Sequence, residues 1–113
     1  MKETLRQKQS RFAHMIAKLI LWAYDNGYEI TLGDAYRDPR VFGAVGERKG
    51  YGESKSCHKV RLALDLNLFK NGKYISTTRG HKELAEKWES MGGTAGYRFN
   101  DGNHYSLEYN GMK

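Results

Sequence analysis

Ser56-Cys57-His58-Lys59-Val60-Arg61-Leu62-Ala63-Leu64-Asp65-Leu66, continued by Asn67-Leu68-Phe69, is the stretch that decides how this 113-residue chain is read. From Val60 to Leu68 the even positions are Val60, Leu62, Leu64, Leu66 and Leu68, and the odd ones run Arg61, Ala63, Asp65, Asn67 and on to Phe69. Alternation with a period of two predicts a strand with one strongly apolar face. Leucines at every second residue, rather than every third or fourth, argue against a helix. Asp65 falls on the opposite, more polar face, with small Ala63 beside it. His58 stands seven residues earlier, so within one regular strand the two side chains would point to opposite faces. His58 is therefore expected on a turn before the strand, folded back over the Asp65 face.

A carboxylate in the middle of Leu-Ala-Leu-Asp-Leu-Asn-Leu needs a partner, because a buried unpaired charge is expensive. A salt bridge from Arg37, Arg61 or Arg98 would serve, and so would a metal ion. The second informative stretch, Asn100-Asp101-Gly102-Asn103-His104-Tyr105, places an Asp three residues before a His. Together, the imidazoles of His58 and His104 and the carboxylate of Asp65 make a three-ligand set for a catalytic zinc with its fourth position open. Asp101 is then left over as a general base.

Working outward, Tyr28 to Tyr36 alternates as a strand, ended by Arg37-Asp38-Pro39-Arg40 because proline disfavours continued pairing. Arg37 at a strand end suits anion binding in a cleft; the alternative is a surface salt bridge with Asp34 or Asp38. From Val41 to Lys55 the glycines 43, 46, 50 and 52 and the weak periodicity predict a flexible loop at the cleft border. No Gly-Lys-Ser/Thr opening a helix follows, so it is not a phosphate-binding loop. Asn71-Gly72 predicts a hairpin, with Lys73-Tyr74-Ile75 returning. Helices are expected from about Ser10, as N-cap, to Asn26, and from about His81 to Met91, where Gly92-Gly93 stops the second. His14 is expected to face solvent and His81 to be structural or exposed. His104 to Tyr109 closes the chain as a strand. The expected fold class is α+β: one domain, residues 1–113, with a small antiparallel sheet and two main helices packed on it.

The residues at this point resemble a known family. His-x6-Asp followed by Asp/Glu-x-x-His is similar to the zinc D-alanyl-D-alanine and L-alanyl-D-glutamate peptidases, which include phage endolysins and vancomycin-resistance peptidases. These enzymes share the fold of the hedgehog signalling domain. The likeness extends to Ser56 before the first His, to Ala63 before the Asp, to Gly33-Asp34-Ala35-Tyr36-Arg37, and to Gly92-Gly93-Thr94-Ala95-Gly96-Tyr97-Arg98-Phe99. It spans about Gln9 to Tyr109. The resemblance implies that His58, Asp65 and His104 bind zinc, that Asp101 is the general base, and that Arg37 stabilises charge on the substrate. Ser56 would hydrogen-bond substrate or orient a ligand. Two positions depart from the pattern: Arg61 stands where the family often has glycine, and Ser106 where it often has Glu.

The implied substrate is the stem peptide of bacterial peptidoglycan, cut by a monomeric endolysin. A non-catalytic zinc-binding domain of the same fold and a small basic nucleic-acid binder are the competing classes. Nineteen Lys and Arg against thirteen acids give a net charge of +6, but the basic residues are scattered among the acids. That distribution suits attraction to an anionic bacterial envelope and gives no reason to expect nucleic acid. The single cysteine, Cys57, excludes an internal disulfide; beside His58, it is an alternative metal ligand. The charged N-terminus lacks the apolar core of a signal peptide, and no stretch reaches the ~20 apolar residues of a membrane span. Synthesis in a host cytoplasm is therefore expected, with action on the cell wall after release.

Overall fold

A computed structural model of the chain describes residues 2–48 and 55–113, so the stretch 49–54 of the expected Val41–Lys55 loop lies outside the described residues. In chain order, the main elements are helix α1 (Leu5–Asp25), strand β1 (Tyr28–Leu32), the single helical turn α2 (Pro39–Phe42), strands β2 (Ala63–Lys70) and β3 (Lys73–Tyr74), helix α3 (Lys82–Ser90), and strands β4 (Thr94–Ala95) and β5 (His104–Ser106). The sheet is antiparallel throughout, in the order β1-β2-β5-β4, with β3 folded back on the end of β2. This is the expected α+β class.

The alternating stretch lies at the centre of the sheet. In β2, Ile30 of β1 pairs with Leu68, and His104 of β5 pairs with Asp65. Leu62, Leu66 and Leu68 are fully buried, whereas Asp65 and Asn67 are only partly so. The hairpin after β2 turns on Asn71 and Gly72, both at positive φ (53° and 74°), as a two-residue turn matched to strand twist requires.

Helix α1 buries Phe12, Met15, Ile16, Leu19 and Ala23, a stripe at helical spacing. It begins six residues earlier than the expected Ser10 cap implies. Thr4 rather than Ser10 is the N-cap: its hydroxyl accepts from the Gln7 amide at 3.1 Å while the Gln7 side chain accepts from the Thr4 amide at 2.9 Å. This reciprocal box satisfies otherwise orphaned amides, and so extends the helix through a polar segment that carries no periodic signal. At the other end of the fold, Trp88 of α3 is fully buried and meets Phe12 and Tyr105 edge-on. Its indole N–H points to the carbonyls of Ser106 (2.9 Å) and Thr94 (3.1 Å), which ties α3 to β4 and β5. Gly93 passes so close that a Cβ there would lie 2.0 Å from the indole nitrogen. The Gly92-Gly93 pair thus ends α3, with Gly92 at φ 98°, and also makes room for the core tryptophan.

Other boundaries shift for local reasons. Strand β1 stops at Leu32 instead of Tyr36, although the Gly33 amide and the Asp34 carbonyl still bond to Asp65 (2.8 Å each). Pro39 opens α2, a first-turn position where its missing N–H costs nothing. Strand β5 ends at Ser106, and beyond it the chain turns back through a bridge between Tyr109 and Met112.

His14 is exposed, and His81 is a core residue. The Nδ1 of His81 shares a 2.7 Å hydrogen bond with the Tyr105 hydroxyl, and burial pushes its pKa from 6.5 down to about 4. The native state therefore resists protonation that the unfolded chain accepts. The stability contribution is fully present above pH 6.5 and is lost as pH falls toward 4. At pH 5 the loss from this one site should be about 2 kcal/mol relative to pH 7. Urea unfolding of metal-free protein at the two pH values checks this. His81→Gln keeps an acceptor for Tyr105 and should remove that part of the pH dependence; an unchanged slope would assign it to other groups.

Candidate metal centre

His58 sits where the sequence requires, on a tight helical turn (Cys57–Val60) ahead of β2. Ser56 caps the turn, its hydroxyl accepting from the His58 amide at 3.2 Å. Arg61 closes it in the left-handed region at φ 57°, a conformation that glycine adopts most readily. The departure from glycine at this position therefore leaves a glycine-like turn, and the Arg61 guanidinium lies over the Tyr36 ring at 4.0 Å.

The His58 ring is fixed by hydrogen bonding. Its Nδ1 lies 2.6 Å from the Ala35 carbonyl oxygen. A carbonyl can only accept, so Nδ1 carries the hydrogen and, in the neutral ring, Nε2 presents a lone pair. That Nε2 lies 3.1 Å from Asp65 Oδ1, itself an acceptor. Two lone pairs held at that distance need a positive charge between them, either a second proton on the ring or a metal ion.

His104 joins them from the neighbouring strand, directly opposite Asp65 in the register. Its Nδ1 is 3.8 Å from Asp65 Oδ1, too long for a hydrogen bond, and its ring stands 5.2 Å from that of His58. Burial, chiefly, with the His58 and Arg37 charges adding to it and Asp65 opposing, lowers the His104 pKa to about 4. The ring is neutral near pH 7, so its one unprotonated nitrogen offers a lone pair to a metal. Ligand atoms of His58, Asp65 and His104 all lie within 4.8 Å of one another. Tetrahedral zinc with bonds near 2.0–2.1 Å sets its ligands roughly 3.3 Å apart, a value that falls between the observed 3.1 and 3.8 Å. The three residues could hold a metal ion. The second nitrogens differ: that of His58 has the Ala35 carbonyl, whereas His104 Nε2 is buried without a hydrogen-bond partner among the described residues.

Among the described residues, Asp65 therefore faces the two imidazoles and pairs with no arginine. Arg98 pairs with Glu89 at 2.6 Å, and Arg61 stacks on Tyr36. Cys57 is fully buried with its thiol directed at the Leu107 carbonyl (3.2 Å), and burial pushes its pKa up to about 11. It stands outside the ligand cluster.

Asp101 also stays outside the three-ligand set. Its side chain is 55% exposed, with Oδ2 3.9 Å from His104 Nδ1. The turn that carries it is fixed by backbone bonds from Asp101 N to the Gly96 carbonyl (2.8 Å) and from His104 N to the Asp101 carbonyl (3.0 Å). A Cβ on Gly96 would lie 2.0 Å from that Asp101 oxygen and 2.7 Å from the His104 Cβ. Only glycine lets these chains approach so closely.

Arg37 is largely buried (13% exposed), and the ion pair expected with Asp34 is present. Its Nε is 3.7 Å from Asp34, its Nη1 donates to Ser56 Oγ at 3.4 Å, and its backbone amide bonds to the His58 carbonyl. Together with Lys55, Ser56, Phe99, Asp101, His104 and Lys113 it lines a cleft of about 230 Å³. A larger depression of about 600 Å³ between α1 and α3 contains none of the cluster residues, so donor chemistry, not size, locates the site. Four contributors had no signal in the sequence pattern: the Ala35 carbonyl, the Phe99 ring packed edge-on to His104 at 5.5 Å, and the rim lysines 55 and 113.

Comparison of the chain with protein-family models finds no match, and comparison with curated proteins finds none either.

The purified protein is expected to bind about one zinc per chain. The double substitution His58→Ala, His104→Ala should abolish this, whereas Cys57→Ser and Asp101→Asn should leave it intact. Metal analysis and zinc titration calorimetry read the outcome. A wild-type chain that takes up no zinc would instead assign the charge between His58 and Asp65 to a proton.

Proposed function

We propose that the chain is a zinc peptidase that hydrolyses peptide bonds in the stem peptide of bacterial peptidoglycan, in the manner of a phage endolysin with a hedgehog-type fold. The observation that carries this reading is the His58 Nε2 lone pair aimed at Asp65, with His104 beside them and a separate carboxylate, Asp101, at the cleft. A structural zinc site would have no use for that additional carboxylate. Zinc held by His58, Asp65 and His104 would supply a Lewis acid that polarises a carbonyl and acidifies water.

The remaining roles belong to the chain's own side chains. Asp101, exposed and next to the ligand set, takes the proton from the attacking water and returns it to the departing amine. Arg37 offers a planar fork of donors to the oxyanion or to a substrate carboxylate. Ser56, capping the His58 turn and accepting from Arg37, holds two functional residues in register. Ala35 orients the His58 ring through its carbonyl. No helix among the described residues is long and apolar enough to cross a membrane. We place action at the cell wall, after release from a producing cytoplasm, by a monomer.

Incubation with purified peptidoglycan, with and without chelator, tests the reading. Chelator-sensitive release of new peptide ends, identified by mass spectrometry, is expected; no release by the zinc-loaded protein would refute it. Asp101→Asn should retain zinc and fold yet hydrolyse roughly 100- to 10,000-fold more slowly. Loss of zinc together with activity would make Asp101 a ligand. Arg37→Lys, which keeps the charge but not the fork, should also lower activity without releasing zinc.

A further inference from the structure

Strand β1 forms one edge of the sheet, and the strand at the other edge, β4, is two buried residues long. The residues of β1, Tyr28-Glu29-Ile30-Thr31-Leu32, include neither proline nor lysine, which commonly blunt such an edge. The ladder shows which of its main-chain groups point outward. Ile30 and Leu32 stand opposite Leu68 and Leu66. The Leu68 carbonyl accepts from Ile75 and the Leu66 amide donates to Asn103 (2.8 Å each), so both are turned away from β1. In an antiparallel pair, the residues facing them direct their own amides and carbonyls to the free side. At Ile30 those groups are occupied. The Tyr24 hydroxyl accepts from the Ile30 amide at 3.2 Å and donates to the Ile30 carbonyl at 3.4 Å. Both bonds are long and Tyr24 is 51% exposed, so the seal is weak. Next to it, Leu32 is 66% exposed. A depression of about 300 Å³, lined by Tyr24, Glu29, Ile30 and Thr31 among others, lies at the same edge.

We propose that the outer edge of β1 is a pairing surface for a second copy of this chain, and that Tyr24 keeps it closed. The segment complements itself. A two-fold axis through Ile30 sets Ile30 against Ile30, Tyr28 against Leu32 and Glu29 against Thr31. Apolar side chains then meet, and no like charges stand opposite one another. The outward amides and carbonyls of Ile30 and Leu32 gain partners, and the two sheets continue as one. Beta-branched Ile30 and Thr31 suit this pairing. None of the metal ligands takes part, so the inference stands apart from the peptidase reading.

Analytical ultracentrifugation of the 113-residue chain across a range of concentrations tests it. The wild type should sediment as a monomer. Tyr24→Phe keeps the ring and loses the hydroxyl. It should self-associate about a hundredfold more tightly, because the seal is absent from both copies at about tenfold each. Tyr24→Ala removes the ring as well and should associate in the same way. Adding Leu32→Pro to either variant deletes an outward amide at an exposed strand end and should restore the monomer. Exchange of the Ile30 and Leu32 amides in Tyr24→Phe should slow as concentration rises. Melting curves matching the wild type show that the variants fold. Three results would each overturn the proposal: a wild type that is already a stable dimer, Tyr24 variants that associate no more than the wild type, or association unchanged by Leu32→Pro.

Discussion

The Ala35 carbonyl accepts the Nδ1 proton of His58 at 2.6 Å and thereby turns the other nitrogen of that ring, as a lone pair, toward the carboxylate of Asp65. Much of the fold is arranged to hold this opposition in place. The amide of Asp65 bonds to Asp34 and its carbonyl to Gly33, so the strand end that carries Ala35 is bound to the residue it helps to confront. The Arg37 amide bonds to the His58 carbonyl, closing the loop from the other side. Each of these contacts is a backbone bond that any side chains would make. The chemistry therefore depends on the path of the main chain as much as on the ligand residues themselves.

The second half of the site depends on packing. His104 and Asp101 lie at the start of β5, whose far end accepts the Trp88 indole N–H at the Ser106 carbonyl. Trp88 needs Gly93 to be bare, and the Asp101 turn needs Gly96 to be bare. Two glycines three residues apart thus connect the core to the site: one admits the ring that anchors β5, and the other lets the Asp101–His104 turn settle against the preceding segment. A side chain at Gly96 would demand backbone movement rather than a new rotamer, because the nearest obstacle is a carbonyl oxygen, and one at Gly93 would collide with the buried Trp88 ring.

What was legible in the sequence followed from periodicity and turn chemistry. The leucine alternation gave β2 and its buried face, Asn71-Gly72 gave the hairpin, and Gly92-Gly93 gave the end of α3. The His58, Asp65 and His104 set came from residue type and spacing, and the structure brings the three together. The start of α1 was hidden because a capping box between Thr4 and Gln7 stabilises a turn that has no apolar stripe. The early end of β1 was hidden because residues 33 and 34 keep bonding to Asp65 after regular pairing has ceased. Main-chain acceptors such as Ala35 have no residue-type signature, and the lysines on the cleft rim are brought there only by the tertiary fold.

Without a metal, the same centre is a concentration of unmet polar demand. His104 Nε2 is buried without a partner among the described residues, and an unmet buried group of this kind costs roughly 1–3 kcal/mol. Asp65 Oδ1 has two imidazole nitrogens near it, one of them a lone pair and the other 3.8 Å away. Replacing the acid by an apolar residue would relieve this frustration more cheaply than retaining it, since β2 is otherwise a well-packed strand with fully buried Leu66 and Leu68 on its other face. A sequence that keeps a carboxylate between two histidines in such a strand maintains a cost that folding alone does not require. A bound cation would recover the part of that cost that lies between His58 and Asp65, because ligand binding to the native state alone adds directly to its stability. The opposition of acceptors at His58 and Asp65 is thus one half of an interaction that a positive charge completes, whether a proton on the ring or a metal ion.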